Sequence, residues 1–230
     1  MTPRTRAELI LAARQRADME VSEFVGDTEA VDMLQASWHE LYDLLIEAYG
    51  ENYFEIRQLL SFNPNSPGLD LRDLDTDSEA KQFYKLVRIG FVSGEADITL
   101  DREGGRSDRS TVARSWDVWQ PPTYSVEGML VRWHPIPAAQ VTCNVSWVPL
   151  PADLADGDTL PQQAQPWEEY IIVDWAIKAM QKEESDVSML MARRDQLIER
   201  IRKMAPRDIG TPDKIAISAG ANGLARGWGW

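Results

Sequence analysis

Val31, Leu34, Trp38, Leu41, Leu45 and Ala48 step along the chain by 3, 4, 3, 4 and 3 residues. On a helix of about 3.6 residues per turn that spacing gathers all six on one stripe, the mark of a sustained helix–helix seam. It predicts a helix that opens at Asp27, read as the N-cap ahead of Thr28 and Glu29, and ends at Gly50. The rhythm returns far along the chain at Val187, Leu190, Arg194, Leu197, Ile201 and Met204, with Ser185 or Asp186 as the cap and Pro206 as the stop. Arg194 interrupts this second seam, so it must snorkel or pair with an acid.

Each seam has a companion helix. Arg4 to Asp18 holds no Gly or Pro and sets Leu9, Ala13 and Ala17 on a narrow apolar stripe, with Ile10 beside them. Pro166 suits the first position of another helix, and Glu168 and Glu169 suit its positive end. Ile171, Ile172, Trp175, Ala176, Ala179 and Met180 give that helix a broad apolar face.

Residues 51–165 differ in character. Pro and Gly are frequent, and β-type runs occur at Tyr53 to Leu60, Phe83 to Val92, Gly128 to Trp133 and Val141 to Val148. The last two alternate in polarity and are expected to pair antiparallel. Asn63 to Glu79 and Asp101 to Arg114 read as long polar loops. A lone helical hairpin is marginal, so two must share a core. The expected fold is therefore α+β and mainly α. It is a four-helix bundle from two helical hairpins (residues 1–50 and 166–205), with a small antiparallel β module inserted at 51–165 and an extended C-terminal arm at 206–230. Val31, Leu34, Trp38, Leu41, Leu45, Ile171, Trp175, Leu190, Leu197 and Ile201 are its expected packing residues.

Chemistry is sparse. Only His39 and His134 are present, neither with metal-ligand spacing to a Cys or carboxylate. Cys143 lies in an alternating run and reads as a buried thiol. Asp73, Asp75 and Asp77 alternate like the opening of a calcium loop, but Ser78 and Tyr84 stand where that loop needs Gly and Glu. Gly104-Gly105-Arg106-Ser107 lacks the Gly-Lys-Ser/Thr of a phosphate loop, and no Gly-x-Ser-x-Gly elbow occurs. Arg102, Arg106, Arg109 and Arg114 are nearly cancelled by Asp101, Glu103 and Asp108. No catalytic, metal or cofactor site is expected. The formal charge of −13 opposes nucleic-acid binding, though an acidic wall lets a duplex pass without sticking. The sequence holds no apolar run of membrane-spanning length and no signal-peptide core, so no membrane partner is expected. The last residues, Leu224-Ala225-Arg226-Gly227-Trp228-Gly229-Trp230, carry two tryptophans suited to anchoring on a surface or folding back on the core.

Several stretches carry a family resemblance. They are Arg14-Gln15-Arg16-Ala17-Asp18-Met19-Glu20, Phe24-Val25, Asp27-Thr28-Glu29, Ala36 to Leu45, Tyr49 to Phe54, Trp167 to Asp174, and Gln181 to Ser188. Together they resemble the head-to-tail adaptor (connector) proteins of tailed bacteriophages. The likeness covers the helical segments, under half the chain. Glu79 to Leu86 departs from the Leu-Pro-x-Asp-Phe-Tyr-like opening of the β region common in that group. The resemblance implies a non-enzymatic virion protein of the neck, assembled in the host cytoplasm into a ring, expected to be a dodecamer. The ring would lie under the portal, extend the DNA channel for double-stranded DNA without reading its sequence, and join a tail or nozzle protein. It implies that the arm docks on the portal, with Leu224, Arg226, Trp228 and Trp230 as the candidate contacts. The rival readings are a tail-tube or nozzle ring subunit and, more remotely, a tail-associated glycosidase using paired carboxylates.

Overall fold

Residues 170–177 are buried without a break, so the helix that carries them is surrounded by other elements rather than lying on a surface. The computed structural model describes residues 3–20, 24–74, 82–93, 96–102, 114–116 and 122–205. Within them lie α1 (Arg6–Arg16), α2 (Asp27–Tyr49), α3 (Glu168–Lys182) and α4 (Ser188–Met204). Nine residues of α3 are buried, from Tyr170 on one side to Trp175 and Ala179 on others. The other three helices pack against it, and α1 leans on α3 far more than on α2. The first two helices are thus not a self-contained hairpin; α3 is their common partner.

Local chemistry sets the helix ends. Thr5 and Glu8 form a reciprocal capping box at the start of α1, in which the Glu8 carboxylate accepts from the Thr5 N–H at 2.8 Å. Asp27 is the first residue of α2 rather than its cap; Gly26 holds the cap position without a side-chain bond. The Asp27 carboxylate instead meets Arg14 at 3.0 Å. Pro166 falls in a 3-10 turn (Gln165–Trp167) just ahead of α3. Val187 occupies the cap position of α4, while Asp186 accepts from the Ser188 N–H at 2.9 Å.

The β region is larger than a small module. Among the described residues eight strands, β1 (Ile56–Phe62), β2 (Gly68–Asp70), β3 (Phe83–Ser93), β4 (Ala96–Thr99), β5 (Asp101–Arg102), β6 (Thr123–Glu127), β7 (Leu130–His134) and β8 (Val141–Pro149), build two four-stranded sheets. The first runs β1-β8-β3-β4 and the second β2-β7-β6-β5. The expected bundle with a minor insertion is therefore corrected to a mixed α+β fold, in which β structure forms a second core of its own. The stretch Asn63 to Glu79, expected as a loop, holds β2 and a 3-10 turn (Leu71–Leu74), and β5 opens the stretch 101–114.

The expected pairing of the last two long runs is also corrected. β7 pairs with β2 and β6, whereas β8 pairs with β1 and β3. Alternation requires one buried face per strand, and two strands meet that need equally well side by side or face to face. Here Val131 and Trp133 of β7 and Val141, Cys143 and Val145 of β8 all point into one core between the sheets. Trp116, Phe62, Phe91 and Tyr124 complete it, with Trp116 edge-on to Trp133 at 5.6 Å between ring centroids. The far end of β8 is buried on both faces: Trp147 belongs to the inter-sheet core and Val148 to the helical core. β8 thereby joins the two cores.

Candidate functional site

One concavity among the described residues is built from aromatic residues and prolines. Trp38 and Tyr42, four apart on α2, share the stripe that faces residues 149–163. Gly50 ends the helix, and the following 3-10 turn (Glu51–Phe54) turns Tyr53 and Phe54 back toward them. Phe54 stacks on Tyr42 at 4.2 Å, and Trp38 meets Tyr42 edge-on at 5.6 Å.

Residues 149–163 include Pro149, Pro151 and Pro161, which have no N–H to donate but carry carbonyls that need donors. Aromatic side chains donate to three carbonyls of this stretch, one of them a proline's, while the Pro161 carbonyl accepts from the Ala164 and Gln165 N–H groups. Trp38 Nε1 donates to the Ala152 carbonyl at 3.1 Å, the Tyr42 hydroxyl to Pro149 at 2.7 Å and the Tyr53 hydroxyl to Gln163 at 2.8 Å. Gln35 exchanges two bonds with the Leu154 backbone, at 2.9 and 3.0 Å, and Arg6 adds a third at 3.1 Å. Burial, and then the neighbouring Asp43 and Tyr84, hold the Tyr42 hydroxyl well above the usual tyrosine range, so it remains a donor.

Between this strap and the aromatic rings lies an open cleft of about 400 Å³, within the size range of ligand sites. Trp38, Tyr42, Tyr53, Phe54, Pro151 and Leu154 supply apolar walls, and Glu55, Asp153 and Asp158 supply carboxylates. Burial pushes the Glu55 carboxyl up, but hydrogen bonds from Ser146 and Arg57 and the charges of Arg57 and Arg88 outweigh it and leave it below its ordinary value. Asp158 accepts from the Ala155 N–H at 2.8 Å. Asp153 is largely exposed, with the His39 ring 3.2 Å away.

A second polar cluster sits inside the helical core. Asp174 on α3 meets Lys178 at 2.7 Å and Arg194 of α4 at 3.2 Å. Lys178 also reaches Glu40 at 2.9 Å and the Ser37 hydroxyl at 3.0 Å. The acid that Arg194 required is thus Asp174. Each charged member lies beside an opposite charge, so the cluster holds three helices in register, although Arg194 Nε is buried without a hydrogen-bond partner.

On the second sheet, Ser125 Oγ lies 3.0 Å from His134 Nε2. The pair has no third orienting group among the described residues, so it is a cross-strand bond rather than a nucleophile with its base. Cys143 is fully buried, and burial followed by the Asp97 charge pushes its thiol up to about 12, the opposite of an activated nucleophile. Among the described residues no group of three or more His, Cys, Asp or Glu could hold a metal ion. No helix among them is long and apolar enough to cross a membrane.

Of the packing residues expected from the seams, Leu34, Trp38, Leu41, Leu45, Ile171, Trp175, Leu197 and Ile201 are buried in the helical core, and Val31 and Leu190 are half-buried. Trp38 serves the core with its ring and the strap with its Nε1. Leu224, Arg226, Trp228 and Trp230 lie outside the described residues, as do Asp75, Asp77, Arg106 and Arg109. The cleft and the Asp174 cluster were not foreseen. The available signals were aromatic pairs at 38/42 and 53/54 matched by a proline-rich stretch, and Lys178 four residues after Asp174. No protein-family model matches the sequence, and no curated protein matches it.

Proposed function

We propose that the chain is a non-enzymatic structural subunit of a tailed-phage neck, a head-to-tail adaptor that assembles as a ring below the portal. The observation that carries this reading is where the resembling segments fall. Those from Arg14 to Phe54 and from Trp167 to Ser188 lie on α1, α2, α3 and the turns beside them, and these elements pack into one core. The likeness therefore covers one packed unit rather than scattered stretches. The acidic charge of −13 fits a channel wall that duplex DNA passes without adhering.

In this reading the mixed α+β body forms the ring, and residues 206–230 reach the portal. Leu224, Arg226, Trp228 and Trp230 supply the anchors, and repetition around the ring multiplies a weak single contact. The test is the mass distribution of the purified chain, alone and with the portal protein of the same phage. A small species that becomes a defined ring only on the portal supports the proposal. Tubes formed without portal favour a tail-tube subunit instead, and indifference to portal overturns both. Removing residues 224–230 is expected to abolish docking while leaving helical circular dichroism unchanged.

A further inference from the structure

The cleft beside α2 has an unusual division of chemistry. Its aromatic polar atoms are already consumed: Trp38 Nε1 and the hydroxyls of Tyr42 and Tyr53 all donate to backbone carbonyls of the strap. What the walls still offer is ring surface, proline and leucine surface, and carboxylate charge. A neutral polar ligand finds few partners there. An aromatic group joined to a cation finds both ring surface to bury against and acids to meet.

One segment of this chain has that composition. Arg226 is the only charged residue between 215 and 230, and Trp228 and Trp230 follow it, separated by Gly227 and Gly229. Glycines on either side of Trp228 leave its indole without bulky neighbouring side chains. The reach is also sufficient. The last turns of α4 lie close to the cleft: Arg202 pairs with Glu47 at 3.1 Å, and Arg200 stands 5.7 Å over the Trp167 ring. Trp167 lies four residues after Gln163, a cleft wall whose carbonyl accepts from the Tyr53 hydroxyl. Residues 206–223, eighteen in number, then span up to about 60 Å when extended.

We propose that residues 224–230 occupy this cleft in their own chain, with Trp228 or Trp230 against the partly exposed rings of Tyr53 and Phe54 and Arg226 facing Asp153 and Asp158. The occupancy itself does not depend on the adaptor reading. If that reading also holds, the cleft stores the portal-binding residues, because the same side chains cannot fill both places at once. Docking would then begin with their release.

The experiment places the photo-crosslinking residue p-benzoylphenylalanine at position 228 of the full chain, without any partner protein. After irradiation, the linked peptides are mapped by mass spectrometry. Links within one chain to residues 38–56 or 149–163 are expected. Asp153→Lys, a change at an exposed carboxylate, is expected to lower their yield several-fold with an unchanged thermal melt. Links confined to other surfaces, links only between chains, or no protein link at all would overturn the proposal, as would full yield in Asp153→Lys. Ring formation on the portal is read separately, so the two ideas can fail independently.

Discussion

Arg194 Nη1 of α4 lies 3.2 Å from Oδ1 of Asp174 on α3, a carboxylate whose side chain is 1% exposed. Lys178 holds the other oxygen at 2.7 Å. A buried charge is tolerable only while it is paired, and here two cations share the task. Arg194→Leu or Lys178→Met alone leaves one partner and is expected to cost roughly 1–2 kcal/mol in urea unfolding. Removing both strands the carboxylate, and the expected loss of about 4–5 kcal/mol exceeds the sum of the singles. Additive losses in the double-mutant cycle would refute the shared role.

Gly68 and Gly90 both sit where a side chain has no room, yet for different reasons. A Cβ on Gly68 would fall 1.9 Å from the Val131 carbonyl oxygen, which is backbone of the paired strand β7. On Gly90 it would fall 2.0 Å from Asp97 Oδ1, the end of a side chain that can turn away. Gly90→Ala should therefore lose only the Asn144–Asp97 hydrogen bond, now 3.0 Å, at about 1 kcal/mol or less. Gly68→Ala should lift β2 from β7 and cost roughly 2–3 kcal/mol. Thermal melts of the two variants decide the order, and equal effects would contradict it.

The strap over α2 depends on side-chain donors. Tyr42→Phe removes the 2.7 Å bond to Pro149 and leaves that carbonyl without its tyrosine donor. The expected cost is about 1 kcal/mol, with faster amide exchange concentrated in residues 150–160. A uniform rise in exchange across the chain would instead mean that the bond supports the whole fold rather than the strap.

Cys143 is shielded from water, and its thiol is pushed up to about 12 by burial and then by Asp97. At pH 8 the native chain should not react with a thiol reagent such as dithionitrobenzoate, while the unfolded chain releases one equivalent, its single cysteine. The folded value lies above the unfolded one, about 8.5. Its contribution to stability is therefore complete below about pH 8.5 and is lost as the pH rises toward 12. Cys143→Ala should flatten the fall of the urea midpoint across that alkaline window. Rapid native labelling at pH 8 would show that the site opens.

Helices were legible in the sequence because their signal is local. The 3-4 spacing from Val31 to Ala48 and from Val187 to Met204 declares an apolar stripe wherever the helix comes to rest, and α2 and α4 fall on those stretches. The long strands β3 and β8 were visible for a similar reason, since Phe83–Ser93 and Val141–Pro149 are rich in β-branched and aromatic residues. β2, β4, β5 and β6 were not, because two to five residues give little period to read. The balance of the fold was misjudged on that account, as a bundle with a small β module.

What the sequence determined by itself was the set of long elements and their apolar faces, since periodicity and capping act within a few residues. The tertiary structure decided which faces meet. Alternation buries one face of β7 and one of β8 but does not say that they face each other from different sheets. Nor does Arg194, an interruption in a stripe, name Asp174 twenty residues earlier as its partner. The cleft arises only when the aromatic residues of 38–54 are brought against a proline-rich stretch about a hundred residues away. Such contacts depend on the burial and hydrogen-bond needs of both segments at once, and neither segment carries that information alone.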